Sequence, residues 1–232
     1  MEYVRPSESR GDVEIDWLKS RHSFSFGHYY DPAHTGFSVL RVINDDIVKP
    51  GYGFDTHGHR DMEIITYIIE GELEHKDSQG NQAIIPVGDI QRMSAGKGIL
   101  HSEFNPSDTV PTHLLQIWIM PKEQGIRPSY AQKTIVQTDK LSPIVTPGGS
   151  DTAISINQDV TLYKMVLEAG DEITIPVEGR SGYLHLIKGQ LSGNERAFSD
   201  GDGYGVYQVD EVTFKATDKV EALWFDLPPM GQ

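Results

Sequence analysis

Three observations predict an all-β fold for this chain. It carries 23 Gly and 13 Pro among 232 residues, above the usual share of about 12%. Its apolar residues fall in short runs of strand length, bounded by turn residues. Helical periodicity of useful length is missing.

The elements follow in order. Phe37 to Asn44 reads as a strand ending in a turn at Asn44-Asp45-Asp46, because paired aspartates after a strand usually mark a turn. Met62 to His75 reads as two strands meeting near Gly71, and Asp77-Ser78-Gln79-Gly80-Asn81 as a hairpin turn. His113 to Met120 has the β-branched and aromatic content of a buried strand, closed by Pro121. Tyr130 to Lys133 is expected as a short helical turn. A turn-rich stretch holding Pro128, Pro143 and Pro147-Gly148-Gly149 reads as a linker zone. Strands resume over Val160 to Glu168, Gly182 to Lys188, Gly203 to Val209 and Ala222 to Leu227.

The second half echoes the first. Glu63 to Gly71 resembles Ser181 to Gly189, and Gly88-Asp89 resembles Gly201-Asp202. A duplicated β unit of roughly 100 residues explains both echoes. The expected division is 1–130, a linker at 131–150, and 151–232.

Composition excludes several chemistries. There is no cysteine, so disulfides, thiolate catalysis and Cys-ligated metals are ruled out. Any metal must sit on His, Asp or Glu. With 20 Lys+Arg against 34 Asp+Glu the net charge is −14, which argues against direct binding of nucleic acid or an anionic membrane face. No targeting signal or membrane-length apolar run is visible, so a cytoplasmic location is expected.

The chemistry-bearing segment is Thr56-His57-Gly58-His59-Arg60-Asp61-Met62-Glu63. Side chains alternate along a strand, so His57 and His59 share a face, with Gly58 leaving room between the rings. Farther on, Gly98-Ile99-Leu100-His101-Ser102-Glu103 puts His101 and Glu103 two apart after a glycine-rich turn. If the two strands face each other, they offer three neutral nitrogens and one carboxylate. Such a set suits Fe(II), Mn(II), Ni(II), Cu(II), Co(II) or Zn(II).

These residues carry a family resemblance. Gly51, His57-x-His59 and Glu63 resemble the first motif of the cupins, and Gly98-x-x-His101-x-x-x-Asn105 resembles the end of the second. Seven residues rather than six separate Glu63 from Gly71, and Gly96 stands where proline is usual. More specifically, the run His57 to Tyr67 with Met93 to Glu103 resembles the pirins, as do His22 to Phe26, Gly36 to Val42 and Gln116-Ile117-Trp118. The ending Phe225-Asp226-Leu227-Pro228-Pro229 is similar to the short bacterial pirins of quercetin 2,3-dioxygenase type.

The resemblance implies a bicupin, two jelly-roll β-barrels in one chain. It implies a divalent transition metal held by His57, His59, His101 and Glu103, with Fe(II) first among Mn, Ni, Co, Cu and Zn. Glu63 becomes a strand residue outside the ligand set. The implied reaction is oxidative opening of a flavonol such as quercetin, using O2 and releasing carbon monoxide. Glu103 is the catalytic candidate, as the one basic ligand able to leave a metal and accept a proton. The alternative is a metal-bearing regulatory module that binds a protein partner.

The second half places Ile175, Val177 and Ser181 where His57, His59 and Glu63 stand in the first, or Phe214 and Ala216 opposite His101 and Glu103. None is a good ligand, so that unit is expected to be metal-free, with His185 a core or interface residue. His113 is expected to bond backbone, and His22, His28 and His34 to lie on the surface or in loops. Met93, Phe26, Phe104, Leu115 and Ile117 are expected to line the pocket.

Overall fold

The computed structural model describes residues 1–231. The N-terminal strands are β1 (Glu2–Arg5), β2 (Gly11–Ile15), β3 (Leu18–His22), β4 (Leu40–Val48), β5 (Gly53–His59) and β6 (Glu63–Glu70). They continue as β7 (Glu72–Asp77), β8 (Gln82–Pro86), β9 (Asp89–Ser94), β10 (Ile99–Phe104), β11 (Thr112–Ile119) and β12 (Ser129–Thr134). Next come β13 (Leu141–Thr146), β14 (Ile154–Ser155), β15 (Thr161–Leu167), β16 (Glu172–Pro176) and β17 (Ser181–Lys188). The last are β18 (Leu191–Gly193), β19 (Arg196–Phe198), β20 (Gly203–Tyr207), β21 (Glu211–Ala216) and β22 (Val220–Leu227). Among the described residues, no helix is long and apolar enough to cross a membrane.

The strands form two similar units, each a seven-stranded sheet facing a four-stranded one. In the first, β12-β9-β6-β11-β4-β3-β2 faces β5-β10-β7-β8. In the second, β1-β20-β17-β22-β15-β13-β14 faces β16-β21-β18-β19. This is the expected all-β bicupin. The stretch read as a linker holds most of β12, on the first unit's sheet, and all of β13, on the second's, while β1 crosses to pair with β20.

Period-two alternation explains the cores. On the large sheets, one face packs sheet against sheet: Ile43, Ile65, Leu115 and Ile117 meet Tyr183, Leu223 and Phe225. The opposite face fills each barrel. In the second unit Leu184, Leu186, Tyr204, Phe214 and Trp224 make one continuous apolar filling, each large side chain contributing on the order of 2 kcal/mol by burial.

The first barrel is filled differently. Leu18, Val48, Ile68, Leu73 and Leu114 pack at one level, and Ile64, Met93, Ala95 and Ile99 at another. Between them runs a row of polar side chains in register across five strands: His22, Asn44, Gln116, Thr66 and Gln91. All five are buried.

Several sequence expectations are corrected here. Asp45 and Asp46 lie inside β4 and not in a turn, because alternation sends them to opposite faces, each with its own partners. Tyr130 to Lys133 is strand and not helical turn, since β12 completes the edge beside β9. His113 uses its ring: Nε2 donates to Asp45 Oδ1 at 2.6 Å, and Arg10 Nη2 donates to Asp45 Oδ2 at 3.2 Å. Although burial opposes ionisation, these donors hold Asp45 down to about 2. Leu115 and Ile117 face the sheet-on-sheet core, and Met93 the barrel filling. Glu63 accepts hydrogen bonds from Ser94 Oγ at 2.9 Å and the Asn157 amide at 3.1 Å, tying the first unit to the second.

Candidate metal centre

His57 and His59 stand on β5, and His101 and Glu103 on β10, which pairs with it antiparallel. His101 lies opposite His57, but the register then shifts so that Glu103 lies opposite Phe54. Three steps along β5 match two along β10, a bulge of the kind that re-aims side chains. Asp55 and Thr56 both point outward as a result, while Phe54 and His57 both line the cavity. Gly53 permits the close approach: a Cβ there would collide with the Glu103 carbonyl oxygen and Phe104 Cα. Gly58 is exposed and faces away from the rings, so it does not supply the room between them that the sequence suggested.

The three imidazoles converge. Ring centroids are 4.8 Å apart for His57–His59, 4.4 Å for His57–His101 and 4.8 Å for His59–His101. Their ligand atoms all lie within 4.8 Å of one another. His57 Nδ1 donates to the Asp55 carbonyl at 2.7 Å, which leaves Nε2 as a lone pair pointing at His101 Nε2, 3.0 Å away. Burial, and secondarily the proximity of His57, lowers His59 to about 4. Burial and the other histidines lower His101 to about 2. Imidazoles whose ring nitrogens converge are what a divalent transition metal takes as ligands, so the donor set fits such an ion.

Glu103 is buried and held from the large sheet. Gln116 Nε2 donates to Oε2 at 2.8 Å, and Thr66 Oγ1 lies 3.5 Å from Oε1. Burial and nearby Asp46 push its carboxyl up to about 7 against those two donors. By ligand-atom distance Glu103 groups with His101 and His75, while His101 also belongs to the triad. His75 was not singled out in the sequence. It is fully buried, its Nε2 donates to Asp77 Oδ2 at 3.1 Å, and Gln91 Nε2 donates to its Nδ1 at 3.3 Å.

The pirin family matches residues 3–119, and a quercetinase C-terminal cupin domain matches residues 143–227. The first covers half of the chain. The chain belongs to the pirin family. It is 42% identical to a quercetin 2,3-dioxygenase of Escherichia coli (strain K12), over 99% of this chain and 100% of that one. It is 38% identical to a pirin-like protein of Caulobacter vibrioides (strain ATCC 19089 / CIP 103742 / CB 15), covering 96% and 97%. The crystal structure of YhhW from Escherichia coli superposes with a TM-score of 0.97 at 42% identity, covering 100% of both chains. That of the bacterial pirin YhhW in complex with nickel(II) superposes with a TM-score of 0.95 at 42% identity, covering 99% of this chain and 100% of that one.

In this pirin the metal centre opens onto a two-part cavity. The inner chamber, about 70 Å³, is walled by Asn44, Asp46, Ile64, His101, Glu103 and Gln116. The outer cleft, about 680 Å³, is walled by Trp17, Tyr52 and Phe104. Phe26, Phe54, His57, His59 and Trp118 border both. Phe26 and Phe104 thus line the pocket as expected. His22 is buried on β3 rather than on the surface, its ring edge-on to Phe26 at 5.3 Å. His28 is exposed, and His34 sits in a loop bonded to the Tyr3 hydroxyl at 2.6 Å. The second pirin unit has Ile175, Val177, Phe214 and Ala216 packed into its apolar filling.

Proposed function

We propose that this pirin is a metal-dependent quercetin 2,3-dioxygenase, opening the central ring of a flavonol by insertion of both oxygens of O2 with release of carbon monoxide. The observation that carries this reading is a converging triad of histidines at the inner end of an aromatic-lined cleft. His57, His59, His101 and Glu103 would hold the ion, with Fe(II) the metal we favour, in the first of two units dividing near 131–150. The protein acts in the cytoplasm on a small aromatic and O2, without nucleic acid or membrane as partner.

When bound, the ion supplies Lewis acidity that lowers the pKa of an enol hydroxyl. The chain supplies the rest. Asp55 fixes the His57 tautomer through its carbonyl oxygen. Trp17, Tyr52, Phe54 and Phe104 give planar faces against which a flavonol stacks and from which water is displaced. Glu103 Oε2 stays tethered to Gln116 while Oε1, more weakly held by Thr66, accepts the substrate hydroxyl proton.

The test is protein purified without oxygen, loaded in turn with Fe(II), Mn(II), Ni(II), Co(II) and Cu(II), and mixed with quercetin and O2. Oxygen uptake with carbon monoxide release is expected for at least one metal, and loss of turnover in Glu103→Gln. Absence of uptake with every metal sinks the reading.

A further inference from the structure

We propose that Asn44 and Asp46 form a second recognition point in the cavity, a subsite that takes a hydroxyl group of the planar aromatic substrate across from the metal centre. The inference rests on the flavonol reading for the identity of that substrate.

Asn44 and Asp46 are two apart on β4, on the large sheet, and both wall the inner chamber that His101 and Glu103 wall from the small sheet. Each is at most 4% exposed. Asn44 Oδ1, Asp46 Oδ1 and, beside Asn44 in register, His22 Nδ1 have no hydrogen-bond partner among the described residues. A buried acceptor left without a donor costs about 1–3 kcal/mol. An amide oxygen and a carboxylate oxygen left so on one wall of the chamber are explained if the donor arrives with the ligand.

The rest of the polar row shows the contrast. Gln116 and Thr66 are directed at Glu103, and Gln91 at His75. Gln91 Oε1 is also unpaired but does not border the chamber, whereas the free oxygens of Asn44 and Asp46 belong to side chains that do. The two cavity volumes limit the occupant. At about 70 Å³ the inner chamber, which the four candidate ligands also border, leaves room beside an ion for a hydroxyl but not for a ring system. The outer cleft, about 680 Å³, accommodates the remainder. A polyhydroxylated aromatic therefore enters edge-on, with one hydroxylated edge inward and its faces against the cleft aromatics.

The experiment is anaerobic binding, followed by tryptophan fluorescence, of quercetin and analogues each lacking one hydroxyl to metal-loaded protein. Wild type is compared with the isosteric Asp46→Asn and with Asn44→Leu and Asp46→Leu. One deletion is expected to weaken wild-type binding about 10- to 100-fold, as for a lost hydrogen bond to a charged or buried acceptor. The same deletion should cost Asp46→Leu less than about threefold, with Asp46→Asn and Asn44→Leu between.

Equal binding of every analogue to wild type overturns the proposal, since ordered water alone then satisfies these acceptors. An undiminished penalty in all three variants overturns it too, as does absence of flavonol binding. Binding with the expected pattern but no O2 uptake sinks the dioxygenase reading and leaves the subsite standing.

Discussion

Gln116 on the large sheet donates its side-chain amide to Glu103 on the small sheet at 2.8 Å, through the interior of the first barrel. The bond fixes one carboxylate oxygen and sets the direction of the other. Partners that orient a metal ligand typically contribute 10- to 100-fold in metal affinity when removed. Gln116→Leu is therefore expected to weaken metal retention by about that factor while the barrel stays folded. Chelator competition against apo-protein measures it. Gln116→Glu sets two carboxylates together in a buried site, where they share a proton that a metal must displace, so retention should fall more steeply as pH is lowered than in wild type.

Trp118 reports on the same site from the other side. Its ring meets His59 edge-on at 4.8 Å and Phe26 at 5.1 Å, and its Nε1 has no hydrogen-bond partner among the described residues. Loading apo-protein with Ni(II) or Cu(II) is expected to quench its emission in step with binding. Trp118→Phe should abolish most of that change while leaving metal stoichiometry intact. A signal of wild-type size in the variant would place the quenching elsewhere.

His185 lies on β17, 1% exposed, with neither ring nitrogen hydrogen-bonded among the described residues. Burial and the nearby Arg10 charge lower it to about 3, against the pull of Asp45. In the unfolded chain it takes up a proton near pH 6.5. Its contribution to stability is therefore complete above about 6.5 and is lost as pH falls toward about 3. Between about pH 7 and about pH 5 the loss from this one residue is on the order of 2 kcal/mol. His185→Leu should flatten the pH dependence by that amount in urea unfolding at the two pH values. An unchanged slope would show that the ring is protonated or solvated in the fold.

The two candidate pairs were legible in the sequence because strand geometry has a period of two, which puts His57 on the face of His59 and His101 on that of Glu103; that His75 would stand beside Glu103 was not. The bulge that turns Phe54 inward was not, since no residue type marks it apart from Gly53. The polar row was hidden for another reason. His22, Asn44, Thr66, Gln91 and Gln116 come from five separate strands and read as ordinary alternation until register sets them side by side. Asp45 and Asp46 misled because like neighbours suggest a turn, whereas a strand separates them: one meets His113 and Arg10 between the sheets, the other faces the cavity.

Two glycines in the first ligand strand should respond in opposite ways to the same added methyl group. At Gly53 a Cβ would meet backbone, the Glu103 carbonyl and Phe104 Cα, with the Phe104 ring at 2.9 Å. Backbone cannot rotate aside, so β5 and β10 must separate where the bulge sets Glu103. At Gly58, between the two histidines, the nearest atom is Leu100 Cδ2 at 3.3 Å, the far end of an exposed side chain with room to turn. Gly53→Ala is expected to destabilise by roughly 1–3 kcal/mol and to weaken metal retention with it, because Glu103 and the His101–His57 pairing move together. Gly58→Ala should change stability by less than about 0.5 kcal/mol, as for an exposed strand position, and hold metal as wild type does. Urea unfolding and chelator competition on both variants check this. If Gly58→Ala lost the metal while Gly53→Ala kept it, the ring spacing and not the bulge would be what the strand's glycines protect.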